Sequence, residues 1–245
     1  MPATSKLDDL VVVLVRPRNP LNIGAAARAM CNFGAHRLRL VNPYAAGFRE
    51  ARSAVGAVHL LKSAEVFKTV ADAVADCALV VGTTAVRDRA LQHPVRQLSQ
   101  ESGSEICAQL QAGRVALLFG SEKIGLTNDD FSYCHWLLTI PTREQQISMN
   151  LGQAVAVCLY ELARHASSVL PVEEREPAAT GEIEKITGLL FESLQLSGYV
   201  KPGTHAMFEK RLRRVMLRLN LQKLDAKVLL GMARQIVWKL RQGKN

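Results

Sequence analysis

No apolar run in this chain approaches the roughly 20 residues that a membrane-spanning helix needs. Its opening residues carry no hydrophobic stretch of the signal-peptide kind before the first strand-like segment. A cytoplasmic location, away from membranes, is therefore expected. Cysteines are few and scattered: Cys31, Cys77, Cys107, Cys134 and Cys158 form an odd set with no close pair, which argues against a disulfide framework and against a cysteine-based zinc site. The six histidines include no HxxxH pair, so no metal is expected. No G-x-G-x-x-G follows a strand, which leaves a dinucleotide fold unsupported, and no G-x-S-x-G elbow occurs. Gly120 and Gly125 have the spacing of a phosphate-binding loop, but Leu126 and Thr127 stand where a lysine would meet the phosphates, so an NTPase reading fails.

Acidic residues are also missing from one region. Residues 206–245 contain 11 Lys and Arg against two acids, Glu209 and Asp225, whereas residues 1–205 balance 20 against 20. The whole net charge of +9 therefore sits in the last forty residues, which suggests a polyanionic partner.

What is present reads as α/β. The 245 residues, 48% hydrophobic, suffice for one large domain and a small appendage. Five β-rich runs cover 10–16, 37–42, 78–84, 115–120 and 136–142, and the third and fourth are continuously apolar, as in strands buried on both faces of a parallel sheet. Helices are predicted over 23–33 (ending at Gly34), 64–76, 99–111 and 148–166. A linker with two prolines and clustered acids, 166–181, then separates a domain over 1–165 from a basic helical one over 182–245, whose helices are predicted at 182–197, 204–219 and 225–241. On the middle one, Phe208, Leu212, Val215, Met216 and Leu219 share one face, while Lys210, Arg211, Arg214 and Arg218 cluster on the other, where a nucleic-acid contact is expected in preference to a merely solvated face.

Three segments carry chemistry. The first run ends in Arg16-Pro17-Arg18-Asn19-Pro20-Leu21-Asn22 and leads into Ile23-Gly24-Ala25-Ala26-Ala27-Arg28. Gly24 permits close approach to a helix start, and helix N-terminal amides plus Arg28 make a phosphate site. Phe119-Gly120-Ser121-Glu122-Lys123-Ile124-Gly125 follows the most apolar strand, where Gly120 lets backbone approach a bound group at the strand's carboxyl end. The fifth run ends at Ile140-Pro141, and Ser148-Met149-Asn150 opens the next helix, where either Ser148 or Asn150 would serve as an ordinary N-cap.

In their order and spacing these segments resemble the motifs of the SPOUT (SpoU/TrmH-type) RNA 2′-O-ribose methyltransferases over about residues 10–165. The end of the third strand, Val81-Gly82-Thr83-Thr84-Ala85, and the extension with Phe208 and Lys210-Arg211-Leu212-Arg213-Arg214 resemble the bacterial TrmJ type. The resemblance implies a parallel-sheet fold whose part over 115–160 threads a trefoil knot, a topology that general rules make exceptional. It implies S-adenosylmethionine as cofactor, held by Thr83, Thr84, Ala85, Gly120, Ile140, Ser148 and Met149, largely through backbone groups. Thr84 and Ile147 stand where relatives carry serine. It implies a homodimer with the active site at the subunit interface, into which the partner's Arg28 reaches. Asn22, Asn150 and Glu122 complete the catalytic set, fixing the ribose and ordering the knot, while Arg16 and Arg18 join the α-helical cations on the RNA.

The implied activity is methylation of a ribose 2′-OH in tRNA, at nucleotide 32 of the anticodon loop (C or U). The same chemistry on ribosomal RNA or another tRNA position, and a non-catalytic RNA-binding protein, are the alternatives. Removal of residues 182–245 is expected to weaken RNA binding and leave cofactor binding intact.

Overall fold

The computed structural model describes residues 7–44, 46–85, 93–143, 145–165 and 176–242. Strand β1 (Leu10–Val15) is LVVVLV, with every residue buried. Because alternate side chains leave a strand on opposite faces, Leu10, Val12 and Leu14 enter one apolar cluster and Val11, Val13 and Val15 another. A run apolar at every position is what a sheet covered on both sides requires.

Helix α1 (Pro20–Phe33) follows, started by the Asn19 side chain accepting from the Leu21 amide and stopped by Gly34 at φ 72°. The chain continues through β2 (Arg37–Val41), a 3-10 turn (Ala46–Glu50), α2 (Val58–Ser63), β3 (Glu65–Phe67), α3 (Val70–Val74) and β4 (Leu79–Thr83). Then come β5 (Val95–Gln97), α4 (Gln100–Ala112), β6 (Val115–Phe119), α5 (Asn128–Phe131), β7 (Trp136–Thr139) and α6 (Leu151–His165). The sheet order is β3-β2-β1-β6-β4-β7-β5, with all pairings parallel. Residues of α1, α2, α4 and α6 complete the cluster on one face, and α3 and α5 contribute to the other.

The parallel α/β sheet expected from the apolar runs is present, with differences that have physical causes. The helix expected over 64–76 is two elements: β3 pairs with β2 at the sheet edge, and only Val70–Val74 is helical, behind a Thr69 cap. Strands β3 and β5 have three residues each and expose most of them, so neither produces an apolar run. Helix α6 begins at Leu151 rather than 148, because the Asn150 carboxamide oxygen accepts from the Gly152 and Gln153 amides (2.9 and 3.4 Å).

Three further helices, α7 (Thr180–Leu196), α8 (His205–Arg218) and α9 (Lys223–Gln242), share an apolar cluster of their own that includes Ile183, Ile186, Met216 and Leu217. Most of the segment read as a linker, 166–175, lies outside the described residues. Its end is held firmly: the Thr180 and Gly181 amides donate to the Cys77 and Ala75 carbonyls, both at 2.7 Å, so α7 starts on the sheet-side helix α3. The buried face of α8 also differs from the expected one. Arg213, Met216 and Leu217 are buried, while Val215 and Leu219 are exposed. An arginine enters the interior because it is fully partnered, by Glu184 (2.8 Å) and Glu209 (3.1 Å), and lies over the Tyr133 ring (4.6 Å).

Candidate active site at the carboxyl ends of the sheet

In open α/β sheets ligands bind beyond the carboxyl ends of the strands, where strand order reverses. Here a pocket of about 500 Å³ opens beyond β4, β6 and β7. Thr83, Thr84 and Ala85 line it from the end of β4, Gly120 from β6, Ile140 from β7, and Ser148 and Met149 from the approach to α6. The structure thus brings together all seven residues read from sequence as cofactor contacts. Leu126, Phe131, Leu138, Leu151 and Ala154 add an apolar wall that the motifs did not indicate. Phe131 sits in a four-residue helix with no periodic pattern to reveal it.

Two glycines shape the rim. Gly125 has φ +70°, a conformation that side chains resist. A Cβ on Gly120 would lie 2.0 Å from the Gly125 carbonyl carbon and 2.1 Å from the Leu126 amide nitrogen, so the turn folds back onto Gly120 itself. Gly24 serves differently from the expectation. Its missing side chain admits Ser53 and Ala54 of the same chain, 2.2 and 3.0 Å from where a Cβ would stand, rather than a ligand.

Beside the pocket a polar chain joins three distant loops. The Glu122 carboxylate accepts from the Arg18 amide (2.9 Å), the Asn19 amide (3.0 Å) and the Asn22 side chain (2.9 Å). Asn22 in turn accepts from the Asn150 side chain at 2.9 Å, and the oxygen of Asn150 caps α6. Partial burial pushes the Glu122 carboxyl up, but the hydrogen bonds from Asn22, Arg18 and Asn19 outweigh it and hold the value below the ordinary carboxylate one. Glu122 is thus a charged acceptor, unsuited to taking a proton near neutral pH.

That depression has a sign in stability. The folded state binds the proton more weakly than the unfolded chain, so the contribution is complete above the ordinary value of 4.5 and is lost as pH falls below it. A Glu122→Gln substitution turns an amide donor toward one of three donors already there. It is expected to cost about 1 kcal/mol at neutral pH, and less at pH 4, in urea titrations; equal cost at both values would discount the ionised carboxylate.

The cations divide into two groups. Arg16 forms a two-pronged pair with the buried Asp130, its Nη1 donating at 3.1 Å. Arg18 lies over the Tyr44 ring (4.9 Å), and Lys210 pairs with Asp129. Arg28 is exposed on α1, does not line the pocket of its own chain, and makes no hydrogen bond or ion pair among the described residues. Arg211, Arg214 and Arg218 stand together on α8: Arg218 and Arg211 oppose the charge on Arg214, whose value burial first pulls below the usual. His93, packed 6.4 Å from Phe131, is pushed down to about 4 by burial and by Arg214 and Arg218, which places the basic cluster close to the pocket's outer wall. Among the described residues no group of three or more His, Cys, Asp or Glu could hold a metal, no helix is long and apolar enough to cross a membrane, and all five cysteines are free.

The pocket has room for a small organic cofactor, with an apolar wall and polar residues at its rim. Its volume lies in the range of ligand sites, its lining is more apolar than polar, and Thr142 and Ser148 add hydroxyls, while the Thr83 hydroxyl donates to the Leu118 carbonyl at 2.8 Å. With the sheet and the polar chain, this defines an RNA 2′-O-methyltransferase when set beside known proteins. Residues 9–160 match the SpoU rRNA Methylase family, and the chain belongs to that family. It is 32% identical, over 94% of its length and 96% of the relative's, to the tRNA (cytidine/uridine-2′-O-)-methyltransferase TrmJ of Cronobacter sakazakii. The crystal structure of TrmJ from Z. mobilis superposes with a TM-score of 0.80 at 34% identity, covering 92% of this chain and 98% of that one. The SpoU methyltransferase AviRb from Streptomyces viridochromogenes, solved in complex with AdoMet, is 25% identical with a TM-score of 0.50 over 69% of this chain and 64% of its own. S-adenosylmethionine is the cofactor.

Proposed function

We propose that the protein methylates the ribose 2′-OH of a cytidine or uridine in tRNA, at nucleotide 32 of the anticodon loop. The observation that carries this is the similarity to TrmJ enzymes along 94% of the chain, basic helices included. Mapping ribose methylation across cellular RNA, with and without the protein, tests it. Loss of methylation at tRNA nucleotide 32 supports the reading; loss at a ribosomal site, or at another tRNA position, replaces it.

In this reading residues 1–165 form the catalytic domain and 182–245 a basic RNA-binding one. The catalytic domain closes as a trefoil knot. Strand β7 lies between β4 and β5, both of which precede it in the chain. The match of residues 9–160 to the SpoU family supports a threaded chain. Two copies pair through the outer sides of α1 and α6, where Leu21, Val157 and Tyr160 are exposed. The homodimer has a chemical rationale too: Arg28 does not line its own pocket, which suits a role in a neighbour's. The five free thiols and the tRNA substrate suit the cytoplasm.

When bound, S-adenosylmethionine supplies a methyl group on a positively charged sulfur. Thr83, Thr84, Ala85, Gly120, Ile140, Ser148 and Met149 hold it, and Leu126, Phe131 and Leu151 exclude water from it. Asn22 and Asn150, locked to Glu122, orient the ribose. Holding nucleophile and methyl group in line is worth about 7–11 kcal/mol in well-ordered systems. A guanidinium stays protonated in proteins and does not accept the hydroxyl proton, so Arg28 acts as a clamp on the RNA phosphate and on the charge developing at the 2′-oxygen.

The cations of α8 contact phosphates. Replacing Arg211, Arg214 and Arg218 together by glutamine is expected to weaken tRNA binding and make its log–log salt dependence shallower by about 3. An unchanged slope, measured by filter binding across a salt series, removes α8 from the RNA surface.

A further inference from the structure

Helix α8 has two working sides. Its outer side carries Arg211, Arg214 and Arg218. Its inner side carries Arg213, whose side chain is 8% exposed and bound to Glu184 of α7 at 2.8 Å and to Glu209 at 3.1 Å. The rest of that guanidinium is spent on the segment after α5. Its Nη1 donates to the Ser132 hydroxyl at 3.5 Å, and its plane lies 4.6 Å over the Tyr133 ring. One turn earlier Lys210 pairs with Asp129 at the start of α5.

The residue enclosed by these contacts is Phe131, 2% exposed, which lines the cofactor pocket. Its neighbour Asp130 binds Arg16, at the head of the loop whose Arg18 and Asn19 amides hold Glu122. Helix α8 therefore grips a short segment that touches the cofactor wall on one side and the catalytic loop on the other. A fully partnered arginine with one rigid fork is suited to transmit position in this way.

We propose that Arg213 is a positioning residue for methyl transfer: it fixes the 131–133 wall against the RNA-binding helix, so that tRNA and S-adenosylmethionine bind with positive coupling. This rests on the methyltransferase reading above, and it revises the expectation that the helical extension has no influence on the cofactor. Coupling of this kind is reciprocal, since each ligand must strengthen the other by the same factor.

Calorimetry on the full chain, titrating S-adenosylmethionine with and without a tRNA transcript at a temperature where all variants are folded, provides the test. In the unaltered protein tRNA is expected to tighten cofactor binding by about 10-fold. Arg213→Met is expected to reduce that factor to near one, with KM for the cofactor rising more than kcat falls, and Arg213→Lys to restore part of it. Should Arg213→Met fail to fold, with Glu184 left unpaired, the double change Ser132→Ala with Tyr133→Leu removes both contacts to the wall, keeps the Glu184 pair, and is expected to lower the factor as well; a folded double variant with undiminished coupling overturns the proposal. Lys223→Met, which breaks the ion pair with Glu176 elsewhere in the helical extension, is expected to leave it unchanged. A folded Arg213→Met protein with undiminished coupling overturns it too, as does an unaltered protein that binds both ligands independently. An unaltered protein that binds no S-adenosylmethionine instead overturns the reading of the pocket.

Discussion

Arg28→Ala is expected to slow methyl transfer by about 100- to 1,000-fold, the usual effect of removing one donor to a developing oxyanion. Cofactor affinity should stay within a few-fold of the unaltered value. The separation follows from where Arg28 stands. It is exposed, makes no hydrogen bond or ion pair among the described residues, and does not line the pocket of its own chain, so its loss costs the fold about 0.5 kcal/mol at most. Arg28→Lys keeps the charge but gives up the planar fork and should recover only part of the rate. Single-turnover rates with calorimetry on the same preparations decide the matter. Lost cofactor binding in Arg28→Ala would contradict the assignment, and so would an undiminished rate.

Gly120→Ala is expected to weaken S-adenosylmethionine binding by about 10- to 100-fold, on the scale of overpacking at a closed site. The added methyl group would meet the Gly125 carbonyl carbon at 2.0 Å, the Leu126 amide nitrogen at 2.1 Å and the Gly125 carbonyl oxygen at 2.5 Å. All three are backbone atoms, so no rotamer change relieves the contact, and the turn carrying Glu122 and Gly125 has to open. Gly188 offers the contrast. It lies inside α7 with nothing within 4 Å of an added Cβ, and Gly188→Ala should stabilise the protein by about 0.5–1 kcal/mol while leaving the cofactor unaffected. Near-normal cofactor binding by Gly120→Ala would mean that the turn does not form the cofactor's wall.

How much of this could be read from the chain depends on the range of the interactions involved. Strands β1, β4 and β6 announce themselves because a strand covered on both faces is apolar at every position. The cap of α1 at Gly34 is a local matter of φ, and so it was visible too. Strands β3 and β5 were not, because three half-exposed residues gain their structure from a neighbouring strand rather than from their own pattern. The pocket residues could be named because the motif resemblance marks the strand ends, but Phe131 and Leu138 lie outside those motifs. Partners were the least legible. Nothing local distinguishes Arg213, which is buried, from Arg214, which opposes other cations, because the difference lies in Glu184 and Tyr133, far away in sequence. Arg16 likewise reads as a free cation until Asp130, 114 positions on, is found against it.

The same long reach bears on how the protein is made. Asn22 meets Glu122 across 100 residues and Asn150 across 128. On a ribosome, the first helix therefore emerges with its polar groups waiting for chain not yet synthesised. The donors of the Arg18–Asn22 loop gain their acceptor only once Glu122 has emerged, and α6 gains its cap later still. Contacts so far apart in sequence form slowly, so this polar chain is assembled late, after the strands that will carry it, and a nascent chain stalled before residue 150 leaves Asn22 without one of its partners.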